Sequence, residues 1–210
     1  MGYQSAQPAE FYHVPATQRK LTKARLEELA AQATAPTAPA IVAIPWKNYS
    51  DSDYQMIAEP GGICLNWAGC LSQEEVNLRE TNGVNRAKEF VADVALRSEP
   101  VPITLDLIQR IHTEMFGDIY PWVGKWRTVT LAKGDVTWPL PRYGWEPIFA
   151  EFERDALALT PFLNADDRAV CEFVARLMGE YFALHPFREG NGRSAFILSD
   201  LVLLQNGLVR

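Results

Sequence analysis

Residues 185–193 read His-Pro-Phe-Arg-Glu-Gly-Asn-Gly-Arg, and this stretch decides how the second half of the chain folds. Pro186 has no backbone N–H and disfavours helical backbone in the residue before it, so a helix that runs into His185 ends there. An apolar run that begins at Phe196 predicts a second helix starting near Gly192. We therefore expect a tight connection between two helices.

This connection has the composition of an anion-binding turn. Gly190 and Gly192 have no Cβ, so both can adopt positive φ and bring successive N–H groups close to an anion. Asn191 tolerates the same left-handed conformation and adds an amide donor. The N-terminus of the following helix would face the same anion, and Arg193 supplies a planar cation in its first turn. Phosphate binding is therefore expected at Gly190, Asn191, Gly192 and Arg193.

Two further groups in the stretch suit a metal-assisted attack by a hydroxyl. The carboxylate of Glu189 would repel a bare phosphate, but magnesium commonly binds one carboxylate together with a polyphosphate. His185, whose unperturbed pKa is about 6.5, is suited to take a proton from a hydroxyl nucleophile. A His-Pro pair after a helix is also a common helix stop, so these roles depend on the stretch as a whole.

Helical patterns account for most of the chain after residue 71. A capping box at Ser72–Glu75 opens the first predicted helix. Further helices are predicted over Thr104 to Phe116, over Pro147 to Leu159, and from a cap at Asn164 or Asp166 to His185, the last being the longest. Alternating residues from Trp126 to Pro139, around Lys133-Gly134-Asp135, predict a β-hairpin. The expected fold class is all-α with this one hairpin.

The N-terminal part of the chain has a different character. Residues 35–40 are rich in proline and alanine and read as an extended linker, and Leu21 to Ala33 is a candidate for a short amphipathic helix. We therefore predict an N-terminal extension over residues 1–60 and a single domain over residues 61–210.

Composition limits the class of protein. The net charge is −6 and the sequence pI about 5.2, which disfavours nucleic acid as the main partner. No segment approaches the roughly 20 apolar residues of a membrane span, and residues 1–20 lack the apolar stretch of a signal peptide. The three cysteines, Cys64, Cys70 and Cys171, have no Cys-x-x-Cys spacing and are expected to be reduced, mostly buried thiols. A cytoplasmic protein is therefore expected.

Two separated stretches resemble one known family. Residues 185–193 resemble the signature of Fic domains, and Ile111 to Arg127, reading IHTEMFGDIYPWVGKWR, is similar to the helix and turn before the flap of that family. The likeness is strong over residues 104–206. It implies a helical bundle in which the predicted hairpin is the flap. It also implies a protein adenylyltransferase (AMPylator), which uses ATP and Mg²⁺ to attach AMP to a Ser, Thr or Tyr hydroxyl and releases pyrophosphate.

The resemblance also implies a role for each residue of the motif. His185 would deprotonate the target hydroxyl, Glu189 would hold Mg²⁺ between the α- and β-phosphates, and residues 190–193 would bind the phosphates. The flap would add a strand to an extended segment of the target protein. The hairpin residues expected to contact that target are Leu131, Lys133 and Trp138.

One departure from the family pattern leaves the donor open. The family motif usually continues Gly-Arg-x-x-Arg, with the second arginine on the γ-phosphate, whereas this chain has Phe196 at that position. The alternatives are a shorter nucleotide or another nucleotide-linked donor, such as one that transfers UMP or phosphocholine. A third reading is a catalytically silent Fic-like binding module, against which the presence of His185 and Glu189 argues.

The inhibitory motif of the family, Ser/Thr-x-x-x-Glu-Gly/Asn, does not occur in the chain, and the nearest helical stretch is Leu78 to Gly83. Control is therefore expected from residues 1–60, from a separate antitoxin-like protein, or from neither. The resemblance implies a toxin or effector, in a bacterial cytoplasm or delivered into a host cell.

Other conspicuous side chains have simpler interpretations. His112 lies on the apolar side of its predicted helix, so we expect a core histidine bonded to backbone rather than a metal ligand. Arg188 is expected to be solvated. Trp122, Trp126 and Trp145 are expected to pack in the core or against the hairpin, whereas Trp138 in the flap could clamp a target side chain.

Overall fold

The computed structural model describes residues 57–58, 63–64, 66, 68–70, 72–133 and 135–210. This part of the chain holds five α-helices and a short 3₁₀ turn at Leu157–Leu159. The helices are α1 (Gln73–Ala95), α2 (Leu105–Phe116), α3 (Glu146–Asp155), α4 (Asp167–Leu184) and α5 (Asn191–Gln205). Two antiparallel strand pairs accompany them: β1 (Ile57–Ala58) with β2 (Ile63–Cys64), and β3 (Leu131–Lys133) with β4 (Val136–Trp138).

The all-α fold with a hairpin near residues 131–138 is confirmed. Leu131 pairs with Trp138 and Lys133 with Val136. The short β1–β2 ladder was not predicted. The predictions for residues 1–56, including the linker at 35–40 and the helix at Leu21 to Ala33, lie outside the described residues.

Side-chain caps fix where three of the helices begin. Ser72 and Glu75 form the predicted capping box of α1, and Thr104 Oγ1 accepts from Leu107 N at the start of α2. Asp166 caps α4 through Ala169 N at 2.8 Å. The prediction that α4 is the longest helix is wrong, because α1 has 23 residues and α4 has 18.

Helix α5 lies at the centre of the bundle and packs against α1, α2 and α4. It is apolar on most of its surface, as a helix enclosed by others must be, and its buried side chains include Ala195, Ile197, Leu198, Leu201 and Val202. Helices α1 and α2 approach so closely at Gly83 that a Cβ there would overlap the carbonyl of Met115. Helix α5 is therefore enclosed by neighbouring helices, two of which are in backbone contact at Gly83.

The cysteines and the helix lengths also bear on the expectations from the sequence. Cys70 is buried but Cys171 is exposed on α4, so the expectation of mostly buried thiols is wrong for Cys171. No helix among the described residues combines the length and apolar character required to cross a bilayer.

Candidate active site

The connection between α4 and α5 begins and ends with a left-handed residue. His185 caps α4 with φ 48° and ψ 58°, and its N–H bonds to the carbonyl of Tyr181 at 2.9 Å. Gly190 caps α5 with φ 80°, and a Cβ there would overlap the ring of Phe116. Positive φ was also predicted at Gly192, and left-handed backbone was considered at Asn191, but both residues lie in the first turn of α5 and are helical.

The His185 imidazole is half-buried beneath the hairpin. The indole of Trp138 stacks on it with ring centroids 3.9 Å apart, and Trp138 Nε1 donates to the Phe182 carbonyl at 2.9 Å. His185 Nδ1 lies 3.3 Å from the same carbonyl, which can only accept, so Nδ1 carries the proton of the neutral ring. Burial lowers the pKa of His185 to about 4. At neutral pH the ring is therefore uncharged, with the lone pair on Nε2.

Buried polar contacts hold the connection in shape. The Asn191 amide donates to the Phe187 carbonyl at 2.7 Å and accepts from Phe187 N at 2.8 Å. Ser194 Oγ donates to the Gly190 carbonyl at 3.0 Å and contacts the Tyr181 hydroxyl at 2.8 Å. The Asn191 side chain is thus committed to the connection itself. What Asn191 offers an anion is its backbone N–H.

The start of α5 has the geometry of an anion site. Gly190 has no side chain with which to cap the helix, and the first backbone bond of the helix runs from Ser194 N to the Gly190 carbonyl. The N–H groups of Asn191, Gly192 and Arg193 precede that bond and have no acceptor within the helix. Together with the helix dipole they favour a phosphate at this end of α5.

Arg193 lies among carboxylates beside this helix start. Its Nη1 contacts Glu80 Oε2 at 2.7 Å, its Nη2 lies 3.4 Å from Glu189 Oε1, and its guanidinium covers the ring of Phe116 at 4.7 Å. Burial acts to lower the pKa of Arg193, but the charges of Glu80 and Glu189 outweigh it and raise the pKa. Glu189 Oε1 also accepts from Gly190 N at 2.8 Å. Glu189 and Arg193 are thus in contact with each other.

Glu80 was not identified from the sequence, although it lies in the Leu78 to Gly83 stretch of α1. Its Oε1 accepts from the Tyr120 hydroxyl at 2.8 Å while Oε2 meets Arg193. The helical spacing of the sequence could have identified it, because Glu80 falls on the same buried stripe of α1 as Val76, Gly83 and Ala87. A carboxylate in an apolar stripe requires a buried partner.

His112 joins the two stretches that carry the family resemblance. The N–H of Gly124 donates to Nδ1 at 3.0 Å, so Nε2 bears the proton and donates to the Glu189 carbonyl at 3.0 Å. The ring stacks on Phe187 with centroids 3.8 Å apart, and burial lowers the pKa of His112 to about 3. The prediction of a core histidine bonded to backbone is confirmed, and the histidine supports the position of Glu189.

The remaining predicted residues divide between surface and interior. In the hairpin Lys133 is exposed and Trp138 is half-buried, but the Leu131 side chain is buried and packs inward. Arg188, expected to be solvated, is buried at 8% exposure. Trp122 and Trp126 are half-buried against the core, where Trp122 stacks on Tyr120. Trp126 and Trp145 both pack on Phe149.

The chain is similar to one protein family and to several related proteins. Residues 102–203 match the family model described as the Fic/DOC family. The probable protein adenylyltransferase y4lH of Sinorhizobium fredii is 30% identical over 155 residues, which cover 71% of this chain and 77% of that protein. Protein adenylyltransferase VbhT of Bartonella schoenbuchensis is 37% identical over 91 residues, or 43% of this chain and 19% of VbhT.

Solved structures share the fold at lower identity. The N-terminal Fic domain of a VirB-translocated effector protein from Bartonella sp. AR 15-3 superposes with a TM-score of 0.56 at 17% identity, covering 71% of this chain and 72% of that one. BepC from Bartonella tribocorum, solved with bound AMPPNP, gives a TM-score of 0.52 at 17% identity over 71% and 76% of the two chains.

Proposed function

The chain belongs to the Fic/DOC family and is a nucleotidyltransferase, and on that premise we propose that residues 185–193 transfer AMP from ATP to a Ser, Thr or Tyr hydroxyl of another protein. The hydroxyl oxygen would form a bond to the α-phosphorus while the bond from that phosphorus to the bridging oxygen breaks. Pyrophosphate would leave, and the hydroxyl proton would pass to His185.

The main support for this proposal is the position of His185 next to the start of α5. A neutral imidazole, with its proton fixed on Nδ1, lies in the same short connection as an α-helix start whose first-turn N–H groups have no acceptor within the helix. A general base must be unprotonated at working pH, and a phosphate is well placed where helix N–H groups converge. The connection thus combines a base for the nucleophile with a site for the nucleotide phosphates.

Arg193 would complete the phosphate site. A guanidinium bonded to Glu80 at 2.7 Å is already oriented before the nucleotide arrives, which lowers the entropic cost of ordering it on binding. It remains about one-quarter exposed, with a side-chain accessibility of 28%. The exposed part of the Arg193 side chain is the part expected to meet phosphate oxygens.

Glu189 would hold Mg²⁺. Among the described residues, no group of three or more His, Cys, Asp or Glu side chains could bind a metal ion by itself. A single carboxylate, that of Glu189, next to the proposed phosphate site fits magnesium. This ion is usually bound by one or two carboxylates, with substrate phosphates and water supplying its other ligands. When bound, the ion would neutralise charge that develops on the phosphates.

The hairpin would position the target. Its exposed backbone and the exposed side chains of Lys133, Val136 and Thr137 lie in the element that also carries Trp138 over His185. An extended target segment that adds to the edge of this hairpin would bring its hydroxyl towards the imidazole. Pairing through main-chain hydrogen bonds fixes the register of the segment without requiring one particular sequence.

Phe196 favours a second candidate for the donor. Its side chain is 44% exposed and lies beneath the guanidinium of Arg210, 4.6 Å from the ring centroid. A phenylalanine at this position cannot bond a γ-phosphate, so a donor with a shorter phosphate chain or a different transferred group is the alternative. The main proposal keeps ATP because the related proteins described as adenylyltransferases share the family.

The proposed location and partners follow from the chemistry. ATP as co-substrate is available in a cytoplasm, and the proposed location is that of a bacterium or of a host cell into which the protein is delivered. Delivery has support in the Bartonella neighbours described as VirB-translocated effectors. The proposed partner of the protein is a target protein on the hairpin, and a separate antitoxin-like inhibitor is one of the alternatives for its control; nucleic acid has no part in the proposal.

Mass spectrometry of acceptor proteins tests the proposal and its alternative together. Samples of a cell lysate are each incubated with the protein and with one donor, which is ATP, ADP, UTP or CDP-choline. Modified peptides are then sequenced. Added AMP on a Ser, Thr or Tyr residue from ATP alone is the expected result. Addition from another donor would establish the alternative, and no addition from any donor, in lysates of several organisms, would support a silent binding module.

A further inference from the structure

Arg127 is a buried cation that the proposed chemistry does not use. It follows directly on Trp126 in the turn before the hairpin and is only 4% exposed. Among the described residues no carboxylate lies within ion-pair distance of its guanidinium. Burial lowers the pKa of Arg127 to about 10, so the side chain is still charged at neutral pH.

The guanidinium donates hydrogen bonds to three backbone carbonyls. Nε donates to His185 at 2.7 Å, Nη1 to Val129 at 2.6 Å and Nη2 to Pro139 at 3.0 Å. Val129 precedes β3 and Pro139 follows β4, so two of the bonds hold the two ends of the hairpin. The third holds the left-handed residue that carries the imidazole.

Backbone and ring contacts reinforce this junction. Arg127 N donates to the Pro186 carbonyl at 2.8 Å, and Trp145 Nε1 donates to the Arg127 carbonyl at 3.1 Å. The Trp145 ring lies 5.0 Å from the guanidinium carbon. Trp138, from the other side, stacks on the His185 ring. His185 is therefore fixed through its carbonyl by Arg127 and through its ring by a residue of the same hairpin.

Burying an unpaired charge is costly, and an apolar side chain would fill the same space at a lower cost. The planar guanidinium of arginine, however, presents five N–H donors in a rigid arrangement, so it holds several acceptors at fixed positions, which the compact ammonium of lysine on its flexible stem does not. We propose that Arg127 is a positioning residue that locks the hairpin and His185 into one geometry, so that a target segment on the hairpin presents its hydroxyl to the base. This inference rests on the proposed function.

Arg127→Lys is the sharpest variant, because lysine keeps the charge and most of the apolar stem but lacks the planar fork. Thr160→Val is the matched control. Thr160 is also buried, and its hydroxyl bonds to backbone at Ile103 and Leu157, neither of which belongs to the hairpin or to the α4–α5 connection. Both variants are compared with the parent in melting temperature, ATP affinity by calorimetry, transfer from α-labelled ATP to lysate protein, and amide hydrogen exchange.

Arg127→Lys is expected to bind ATP within about threefold of the parent while transfer at saturating ATP falls about tenfold to a hundredfold, the effect of a base displaced by about 1 Å. Amides of residues 129–139 should exchange faster while those of α1 and α5 stay protected. Thr160→Val should lower the melting temperature and leave transfer and hairpin exchange unchanged.

Parent-like transfer and parent-like hairpin exchange in a folded Arg127→Lys protein would overturn the proposal. An equal loss of transfer in Thr160→Val would do so too, since general instability would then explain the result. If the parent itself transfers no AMP, the proposed function fails, and the exchange measurement still decides whether Arg127 couples the hairpin to His185. Should Arg127→Lys not fold, Trp145→Phe, which removes the indole bond to the Arg127 carbonyl and keeps an aromatic ring, is expected to give the same pattern with a loss of about threefold.

Discussion

The α4–α5 connection and the hairpin lie against each other but are built in opposite ways. In the connection Phe187, Arg188 and Asn191 are buried, and the backbone is held by Asn191, Ser194 and His112. In the hairpin Lys133, Asp135, Val136 and Thr137 are all exposed, and each strand has only three residues. One element is fixed on all sides, and the other is fixed mainly at its base.

This difference separates two tasks that a protein-modifying transferase must perform. Phosphate and proton transfer require groups held to a fraction of an ångström, which a largely buried connection held by side-chain hydrogen bonds provides. Binding an extended segment of another protein requires an accessible strand edge, which a buried element cannot offer. Changes in the connection should therefore alter the chemistry, and changes in the hairpin should alter target use.

The largest effect is expected for His185→Ala, which removes the proposed base from the fixed element. AMP transfer should fall by about a hundredfold to ten-thousandfold, because general-base catalysis contributes in that range. ATP affinity, measured by calorimetry, should stay within a few-fold, since the imidazole acts in the chemical step. Full transfer in the variant, or loss of ATP binding, would contradict the role of His185.

Glu189→Gln should have the next largest effect. The amide oxygen can still accept from Gly190 N, so the shape of the connection is kept while the charge is lost. Transfer should fall about a hundredfold, since a bound metal stabilises the transition state by several kcal/mol. Magnesium should no longer strengthen ATP binding, whereas Glu180→Gln, an exposed carboxylate of α4, should behave as the parent does. Equal ATP affinity with and without magnesium in the parent would argue against a metal at Glu189.

His112→Phe tests how firmly the connection is fixed. The ring stack on Phe187 is kept, but Gly124 N and the Glu189 carbonyl lose their partner, at a cost of about 1–3 kcal/mol for each buried group. The variant should also change the pH dependence of stability. The pKa of His112 is about 3 in the folded protein, so between pH 6.5 and 3 the unfolded chain binds a proton that the folded one does not.

The parent should therefore lose stability as the pH falls through that window, and His112→Phe should lose less of it. His185, whose pKa is also lowered, contributes to the slope in both proteins. Denaturant unfolding at pH 7 and pH 5 measures the difference. An identical loss in the two proteins would show that His112 is not held neutral.

Thr137→Pro addresses the hairpin. Proline removes one backbone N–H from β4 and is poorly tolerated in a paired strand, so target binding at this element should weaken. Transfer to lysate protein should fall about tenfold, through a weaker association of target, while ATP affinity is unchanged. Thr137→Val, which suits a strand, is the control. Parent-like transfer in a folded Thr137→Pro protein would show that the target does not pair with this hairpin.

Phe196→Arg is expected to produce the smallest change. An arginine bond to phosphate contributes on the order of 1.5 to 3 kcal/mol, but the nearby Arg210 would oppose a second cation, so we expect a gain of at most about tenfold for ATP over ADP. The exposure of Phe196 means that the substitution should not disturb the core. Phe196→Leu should show no gain. A folded Phe196→Arg protein without any gain would place the γ-phosphate elsewhere.

Local features of the sequence were sufficient for most of the fold. The capping box at Ser72, the helix stop at Pro186 and the alternation around residues 131–138 each depend on neighbouring residues, so each could be predicted. The ends of the connection were predicted for the same reason. Gly192 was wrongly expected to have positive φ, because glycine permits that conformation without requiring it.

The contacts that complete the site were not predictable in this way. Glu80 meets Arg193 across 113 positions of sequence, and no periodic pattern specifies such a pair. The partners of Arg127 and His112 are mostly backbone carbonyl and N–H groups, which nearly every residue has and which leave no trace in the sequence. Their residue types could be noticed, but the groups that they hold could be found only from the fold.

Transfer from ATP labelled separately at the α- and γ-phosphorus tests the central claim most directly. The parent and His185→Ala are each incubated with a lysate and the two labelled nucleotides, and label on protein is measured. The account predicts that the α-label becomes covalently attached to protein with the parent only, while the γ-label stays with pyrophosphate. γ-Label on protein beyond the amount that the lysate adds without the parent, or α-label transferred equally by His185→Ala, would contradict it.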